Sequence, residues 1–271
     1  MIDAHVHIWR LGRNGCTWPT PELDLIYQDH VLSDVREVVA GTGVEQVILV
    51  QSQAHDDDTP WLLAEAAASP LVAGVVGWLD HTIGGASERI ASLRKLGPLV
   101  GFRTMAQDCP AEWLDDPALH DQFDAMAEAD IALDLLVRPQ HLPACARLGR
   151  LLPGLRMVID HCAKPRIAEG GLIPWREKMA PVADHPNMMC KLSGLITEAA
   201  DGAPMEALAP YVEAVIALFG PERLIWGSDW PVIKLNGDYR EWLDFARSVI
   251  SAAHHEAVFG GNAQAFYKVK A

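Results

Sequence analysis

The chain has 271 residues, half of them hydrophobic and 21% charged, and its formal net charge is −14. This composition allows a large apolar core and excludes wholesale disorder. The acidic charge argues against a nucleic-acid or anionic-membrane partner, because both require a basic surface. Five scattered cysteines without a C-x-x-C pair argue against a disulfide framework and a thiolate zinc site. With no signal-peptide pattern and no window of about 18 apolar residues, we expect a cytoplasmic protein.

Strand-like apolar runs recur along the chain, and segments with helical spacing of apolar residues separate them. Several runs are continuously rich in Val, Ile and Leu, as is typical of strands buried on both faces. The predicted strands are 2–8, 44–50, 71–79, 99–102, 131–137, 155–159, 187–192 and 223–226. The predicted helices include 61–68, 86–95, 119–129, 142–151, 205–219 and 239–251.

Strand-then-helix alternation predicts parallel strands joined by right-handed crossovers. Eight such units predict an α/β protein with a (β/α)8 TIM barrel that occupies residues 1–271 as a single domain. A doubly wound open sheet is the alternative, because the pattern does not reveal closure. The string GTGVEQ at Gly41 precedes a strand instead of a helix, which argues against a dinucleotide site.

In a barrel the functional side chains lie at the carboxyl ends of the strands. His5 and His7 end the first predicted strand, and alternate residues of a strand point the same way. They could bind one metal ion or form a hydrogen-bonded core pair. His161 follows the sixth strand and Asp229 the eighth. Beside three histidines, Asp229 is a candidate metal ligand or general base.

Other side chains at strand ends are candidate substrate contacts. The structural alternatives are a polar loop start for Gln53, packing for Trp78 and an internal salt bridge for Arg103. These candidates are Gln53, Trp78, Arg103, Lys164 and Ser193. A buried arginine must meet a carboxylate of the protein or of a ligand. Asp134 lies inside the fifth predicted strand, and we therefore expect it to form a buried ion pair.

Loops at 16–27, 55–61, 107–113 and 166–175 are expected to line the pocket. Their tryptophans could stack on the ring of a ligand or could equally be packing; they are Trp18, Trp61, Trp113 and Trp175. Cys162 has no evident base partner, so we expect a buried thiol instead of a nucleophile.

The chain resembles the amidohydrolase superfamily, and within it the amidohydrolase-2 group of small lactonases. That group includes fuconolactonase-like and rhamnonolactonase-like enzymes and 2-pyrone-4,6-dicarboxylate lactonase. The motifs are DAHVHIW at 3–9, VILVQSQ at 47–53, VGFR at 100–103, DHCAKP at 160–165, KLSGL at 191–195, WGSDWPV at 226–232 and GGNAQAFY at 260–267.

The resemblance implies a barrel with one divalent metal, zinc being the first choice, although similar lactonases work without a metal. The implied ligands are His5, His7, His161 and Asp229. Asp229 would also activate water, His161 would be the second catalytic residue, and Arg103 and Lys164 would lie near the substrate. Arg103 stands where two-metal members carry lysine, and the fifth strand lacks a histidine, so a two-metal site is not expected.

The expected function is hydrolysis of a small lactone, a sugar-acid 1,4- or 1,5-lactone, to the hydroxy acid. Asp229 would take a proton from water, while a metal ion, or His161 with Arg103, would polarise the carbonyl. The alternatives are a metal-dependent non-oxidative decarboxylase of the same superfamily and a non-catalytic ligand-binding barrel. The expected partner is a small lactone, without nucleic acid or membrane, and homo-oligomerisation is left open.

Overall fold

The computed structural model describes residues 1–270, which form eight parallel strands paired in the order β1 to β8. The strands are β1 (Ile2–Val6), β2 (Gln46–Val50), β3 (Val72–Gly77), β4 (Leu99–Met105), β5 (Ala132–Leu136), β6 (Met157–Ile159), β7 (Met188–Leu192) and β8 (Leu224–Trp226). The helices are α1 (Leu32–Val39), α2 (Asp58–Ala67), α3 (Ala86–Leu93), α4 (His120–Glu128), α5 (Leu142–Leu151), α6 (Leu172–Ala183), α7 (Ala209–Phe219), α8 (Tyr239–Val249) and α9 (Asn262–Tyr267). None of the helices in this range is long and apolar enough to cross a membrane.

The sheet closes between β1 and the segment that follows β8. The His7 amide donates to the Trp230 carbonyl at 2.8 Å, and the Asp229 amide donates to the His5 carbonyl at 2.9 Å. Closure confirms the predicted (β/α)8 barrel and makes the open-sheet alternative wrong.

Several segments differ from the prediction: β1 ends at Val6, β3 ends at Gly77, and α2 begins at Asp58 inside the predicted loop 55–61. Two further differences lie closer to the site. β4 continues three residues beyond the predicted end because Arg103, Thr104 and Met105 pair with Asp134, Leu135 and Leu136 of β5. Arg103 therefore lies inside a strand. The segment 166–175 is only partly a loop, because α6 begins at Leu172; Pro174 lies in its first turn, where proline is tolerated.

The interior of the barrel contains two layers of different chemistry. The basal layer is apolar and is closed from below by α9; it consists of Ile2, Ala4, Ile48, Val50, Val76, Ala132, Val158, Ile225, Ala263, Phe266 and Tyr267. Above it lies a polar layer formed by Asp134, Asp160 and Lys191. Along β5 and β7, and just past β6, each polar residue stands two positions after an inward apolar one, so the period of two places both on the same face.

A β-bulge in β1 turns the side chain of His5 toward the barrel interior. Asp3 pairs with Val47 and Val6 with Leu49, so β1 has one more residue than β2 over this stretch. Ala4 belongs to the basal layer, and yet its neighbour His5 also points into the barrel, where it contacts Lys191. Such a bulge commonly redirects side chains near active sites.

Candidate active site

Three imidazoles and one carboxylate converge at the carboxyl end of the barrel. Around Oδ1 of Asp229 lie Nε2 of His7 at 3.3 Å, Nε2 of His5 at 3.7 Å and Nε2 of His161 at 3.9 Å. The Nε2 atoms of His5 and His7 are 3.2 Å apart. All four side chains are buried. The structure thus brings together the four residues expected from the sequence.

A left-handed turn after β6 aims two of the site residues. His161, Cys162, Ala163 and Lys164 all have positive φ, between 51° and 60°. A non-glycine residue in this conformation costs about 1–2 kcal/mol. Residues three apart in such a tight turn share a face, and both His161 and Lys164 line the cavity described below. Backbone strain concentrated in one turn is typical of functional sites.

Two glycines provide room for His161 and His5. A Cβ on Gly194 would lie 2.4 Å from Nδ1 of His161 and 3.1 Å from Oδ2 of Asp229. A Cβ on Gly227 would lie 2.7 Å from Cβ of His5. Neither position allows a side chain. The KLSGL motif therefore carries glycine against the ring of His161, and the WGSDWP motif carries glycine against the backbone and Cβ of His5.

Hydrogen bonds on the far side of each ring orient His7 and His161. Nδ1 of His7 donates to the Val50 carbonyl at 2.6 Å, so its Nε2 carries the lone pair. Nδ1 of His161 lies 2.9 Å from the Ser193 hydroxyl. Ser193 is completely buried behind His161, which gives it a different position from the substrate contact expected of it.

The electrostatics favour neutral rings around an ionised carboxylate. Burial lowers the pKa of His5 and His7, and it lowers the pKa of His161 to about 4. Burial alone would raise the pKa of Asp229, but the three histidines, His161 foremost, lower it below its ordinary value. Neutral imidazoles and a carboxylate are the forms that bind a metal ion or accept a proton from water.

The donor set fits one divalent cation. Two ligands that each lie about 2.1 Å from a tetrahedral zinc ion are about 3.4 Å apart, and the contacts given above span 3.2 to 3.9 Å. Among histidine, cysteine and acidic side chains of residues 1–270, only His5, His161 and Asp229 have ligand atoms that all lie within 4.8 Å of one another, and His7 is outside this group.

A cavity of about 390 Å³ opens above this cluster. Burial lowers the pKa values of its two cations, Arg103 and Lys164. Nη1 of Arg103 lies 3.8 Å from Oδ2 of Asp160, and Nζ of Lys164 lies 3.9 Å from Oε1 of Glu198. The cavity is lined by His7, Thr17, Trp18, Ser52, Gln53, Ala54, Arg103, Met105, Gln107, Asp108, Leu136, His161, Lys164, Asp229 and Val232.

Two of the expected substrate contacts, Gln53 and Trp78, make other interactions in the structure. The Gln53 amide holds the loop above it: Nε2 donates to the Trp18 carbonyl at 2.6 Å, and Oε1 accepts from the Thr17 amide at 3.1 Å. Trp78 lies outside the cavity, in a separate groove beside Thr59 and Arg89.

Of the four loop tryptophans, only Trp18 lines the cavity. Trp113 packs against His81, and Trp61 donates to Glu65 on its own helix. Trp175 is buried in α6 and donates to the Cys162 carbonyl at 2.7 Å.

Lys191 was not among the residues expected at the site. It is completely buried and is the ion-pair partner of Asp134, so the predicted buried pair at Asp134 exists. A signal was available: a lysine inside a strand predicted to be buried must meet an acidic partner.

A family model described as amidohydrolase matches residues 2–269. The chain belongs to the amidohydrolase family. It is 44% identical, over 99% of its length and 95% of the relative, to L-fucono-1,5-lactonase of Burkholderia ambifaria. It is 31% identical, over 98% of its length and 95% of the relative, to L-fucono-1,5-lactonase of Burkholderia multivorans. A zinc-bound crystal structure of an amidohydrolase from Burkholderia multivorans superposes with a TM-score of 0.92, at 31% identity and 99% coverage of both chains.

Proposed function

We propose that this enzyme hydrolyses the lactone of a sugar acid to the open hydroxy acid, and that L-fucono-1,5-lactone is the first substrate to test. The observation that carries the proposal is the buried Asp229 carboxylate, ionised in the floor of a cavity that also contains Arg103 and Lys164. The 44% identical lactonase supports the choice of substrate.

In the proposed mechanism Asp229 acts as the general base. Its carboxylate takes a proton from a water molecule, and the resulting hydroxide attacks the ring carbonyl carbon. A tetrahedral intermediate forms, and its negative oxygen is stabilised by the positive charge of Arg103 and by His161. The bond to the ring oxygen then breaks, and Asp229 returns the proton to that oxygen. Cys162 is buried with its sulfur toward the Lys191 carbonyl, which agrees with a direct attack by water.

His5, His7, His161 and Asp229 would hold a divalent cation, with zinc as the first choice because a related amidohydrolase binds it. The cation, when bound, would polarise the lactone carbonyl and the attacking water. Arg103 and Lys164 supply positive charge to the same cavity from the chain itself, so a metal-independent enzyme is the alternative form of this proposal.

The cavity wall suits a polyhydroxylated ring. Trp18 provides an apolar face, and Thr17, Ser52 and Gln107 provide hydroxyl and amide groups for hydrogen bonds. Lys164 lies where it could receive the carboxylate of the product. A cytoplasmic location stays a prediction, and the oligomeric state stays open.

The test is a panel of sugar-acid lactones, a dicarboxylate pyrone and carboxylated aromatics, followed with a pH indicator and metal analysis of the same sample. We expect release of acid from L-fucono-1,5-lactone. Proton uptake with release of carbon dioxide from an aromatic acid would favour the decarboxylase alternative instead. Absence of turnover on every lactone would contradict the proposal.

A further inference from the structure

Lys191 lies at the centre of the barrel, directly below the site. Its ammonium nitrogen contacts Oδ2 of Asp134, lies 3.1 Å from Oδ1 of Asp160, and lies 3.2 Å from Nδ1 of His5. The Tyr267 hydroxyl donates to the same Asp134 oxygen at 2.8 Å. An ammonium group has three protons and no lone pair, so it can only donate. Asp134 and Nδ1 of His5 are its hydrogen-bond partners, and Asp160 is an ion-pair neighbour. Because the ammonium can only donate, Nδ1 of His5 must accept.

This contact selects one tautomer of His5. The ring must be neutral, because an imidazolium carries a proton on both nitrogens and could not accept the hydrogen bond from Lys191 at Nδ1. A neutral imidazole whose Nδ1 accepts carries its proton on Nε2. In the opposite tautomer an N–H group would face the ammonium of Lys191. Its nearest acceptor, Oδ1 of Asp160, is 3.6 Å away, too far for a hydrogen bond.

The proton on Nε2 of His5 has an acceptor. His7 donates from Nδ1 to the Val50 carbonyl, which leaves its Nε2 free to accept, 3.2 Å from Nε2 of His5. The hydrogen bonds thus run in one direction, from Lys191 through His5 and His7 to Val50. Each step has one donor and one acceptor.

We propose that Lys191 is a positioning residue that holds His5 with its proton on Nε2, which makes His5 a hydrogen-bond donor in the site and a weak ligand for a divalent cation. A metal-binding histidine usually donates its other N–H to a carboxylate or a carbonyl. Here an ammonium occupies that position. A cation that binds Nε2 of His5 must first break the contact with Lys191, although the distances between ligand atoms suit it.

The tautomer can be measured in the unmodified protein. Long-range ¹H–¹⁵N NMR spectra of chelator-treated protein with ¹⁵N-labelled histidine report which nitrogen carries the proton, and the signals missing from a His5→Gln variant assign His5. We expect a proton on Nε2 and none on Nδ1. A proton on Nδ1 would overturn the proposal.

Zinc affinity tests the consequence for the cation. We expect Lys191→Met to bind Zn²⁺ at least about tenfold more tightly in competition with a chromogenic chelator, since changes next to a ligand typically alter affinity 10- to 100-fold. Lys268→Met, the same substitution in the exposed ion pair with Asp130, should leave the affinity unchanged.

Lys191→Met leaves Asp134 buried without its partner and could fail to fold. The double variant Lys191→Met with Asp134→Asn removes both charges of that pair and is the second protein to titrate. Unchanged or weaker Zn²⁺ binding in the folded variant contradicts the proposal.

Turnover measurements distinguish this inference from the proposed function. Only the kinetic part of the inference rests on the proposed function. In metal-free protein we expect Lys191→Met to lower kcat with KM unchanged, and Lys191→Arg to recover part of the loss. If the wild-type protein hydrolyses no lactone, the proposed function fails while the NMR and zinc results still decide the role of Lys191. An unchanged kcat in an enzyme that does hydrolyse lactones would show that Lys191 does not position the site.

Discussion

The two ends of the barrel interior are built from the same strands and are equally buried, but their chemistry is opposite. The basal layer presents Ile48, Val158 and Ile225 to the closing helix α9. A few residues further along the strands, the interior holds the charges of Lys191 and Asp229. Burial of apolar surface stabilises the fold by about 25 cal/mol per Å², whereas burial of charge costs free energy unless every group is paired.

The comparison teaches that one end of the barrel provides stability and the other provides chemistry, as the architecture allows. Two observations at the upper end agree with a locally unfavourable arrangement. Four successive residues from His161 have positive φ, and both carboxylate oxygens of Asp160 are buried without a well-formed hydrogen bond. Substitutions at the upper end should therefore affect mainly turnover, and substitutions in the basal layer should affect mainly stability.

The largest effect is expected at the upper end. Asp229→Asn removes the proposed general base, and we expect kcat on the best lactone to fall by about 10²- to 10⁴-fold. We also expect a smaller fall in the free energy of unfolding, because the lowered pKa of Asp229 means that the folded protein stabilises its ionised carboxylate. Steady-state kinetics with circular dichroism of the same sample measure both quantities. Asp244→Asn, on the exposed face of α8, is the matched control; turnover of Asp229→Asn within threefold of that control would exclude Asp229 as the base.

The second prediction concerns the basal layer. Ile48→Ala deletes a completely buried side chain, and we expect the free energy of unfolding to fall by about 2–5 kcal/mol. The kcat and KM of the folded protein should stay unchanged. Urea unfolding gives the stability, with Ile173→Ala as a control whose side chain is 68% exposed. A parallel loss of kcat would show that the two layers are not independent.

Much of this division is predictable from the sequence. The mostly apolar runs at 44–50 and 131–137 correspond to β2 and β5, because strands buried on both faces are rich in Val, Ile and Leu. The convergence of His5, His161 and Asp229 follows from topology, since parallel strands in a closed barrel bring their carboxyl ends together.

Other features depend on geometry that no local pattern carries. The partner of Lys191 is set by closure of the barrel, which brings β7 opposite β5 and β1. The bulge that turns His5 inward depends on pairing with β2. Gln53 lines the cavity as expected, but its side-chain amide donates to the Trp18 carbonyl. The sequence does not show that the loop at Trp18 folds back onto Gln53.

The third prediction tests the one side chain that belongs to both layers. The ring of Tyr267 packs in the basal layer, and its hydroxyl donates to Asp134. We expect Tyr267→Phe to lower the free energy of unfolding by about 1–3 kcal/mol, because it removes a hydrogen bond to a charged group. Tyr211→Phe, also at a buried position, is the control, and urea unfolding of both variants gives the difference. Equal stability of the two variants would mean that the hydroxyl does not couple the layers.

The smallest effect is expected at Asp58, a carboxyl that is buried outside the barrel interior and has no cation to pair with. Asp160 has Lys191 beside it, and although burial alone would raise its pKa, Lys191 holds that pKa well below the ordinary value. Burial instead raises the pKa of Asp58 from 3.8 to about 7, and its Oδ2 has no hydrogen-bond partner. The folded state therefore binds a proton more tightly than the unfolded state. The stability that this proton contributes is complete below about pH 4 and is lost as the pH rises toward 7.

Asp58→Asn removes this dependence. Between about pH 5.5 and 7.5 the free energy of unfolding of the wild type should fall, relative to that of the variant, by about 1–2 kcal/mol. Urea unfolding at the two pH values measures it, and Asp57→Asn, at the exposed neighbouring position, should follow the wild type. The stability of Asp58→Asn could instead show the same pH dependence as that of the wild type. That result would mean that the N-terminus of α2 stabilises the Asp58 anion well enough to offset its burial. The contrast with Asp160 would then reflect the helix terminus as much as the missing cation.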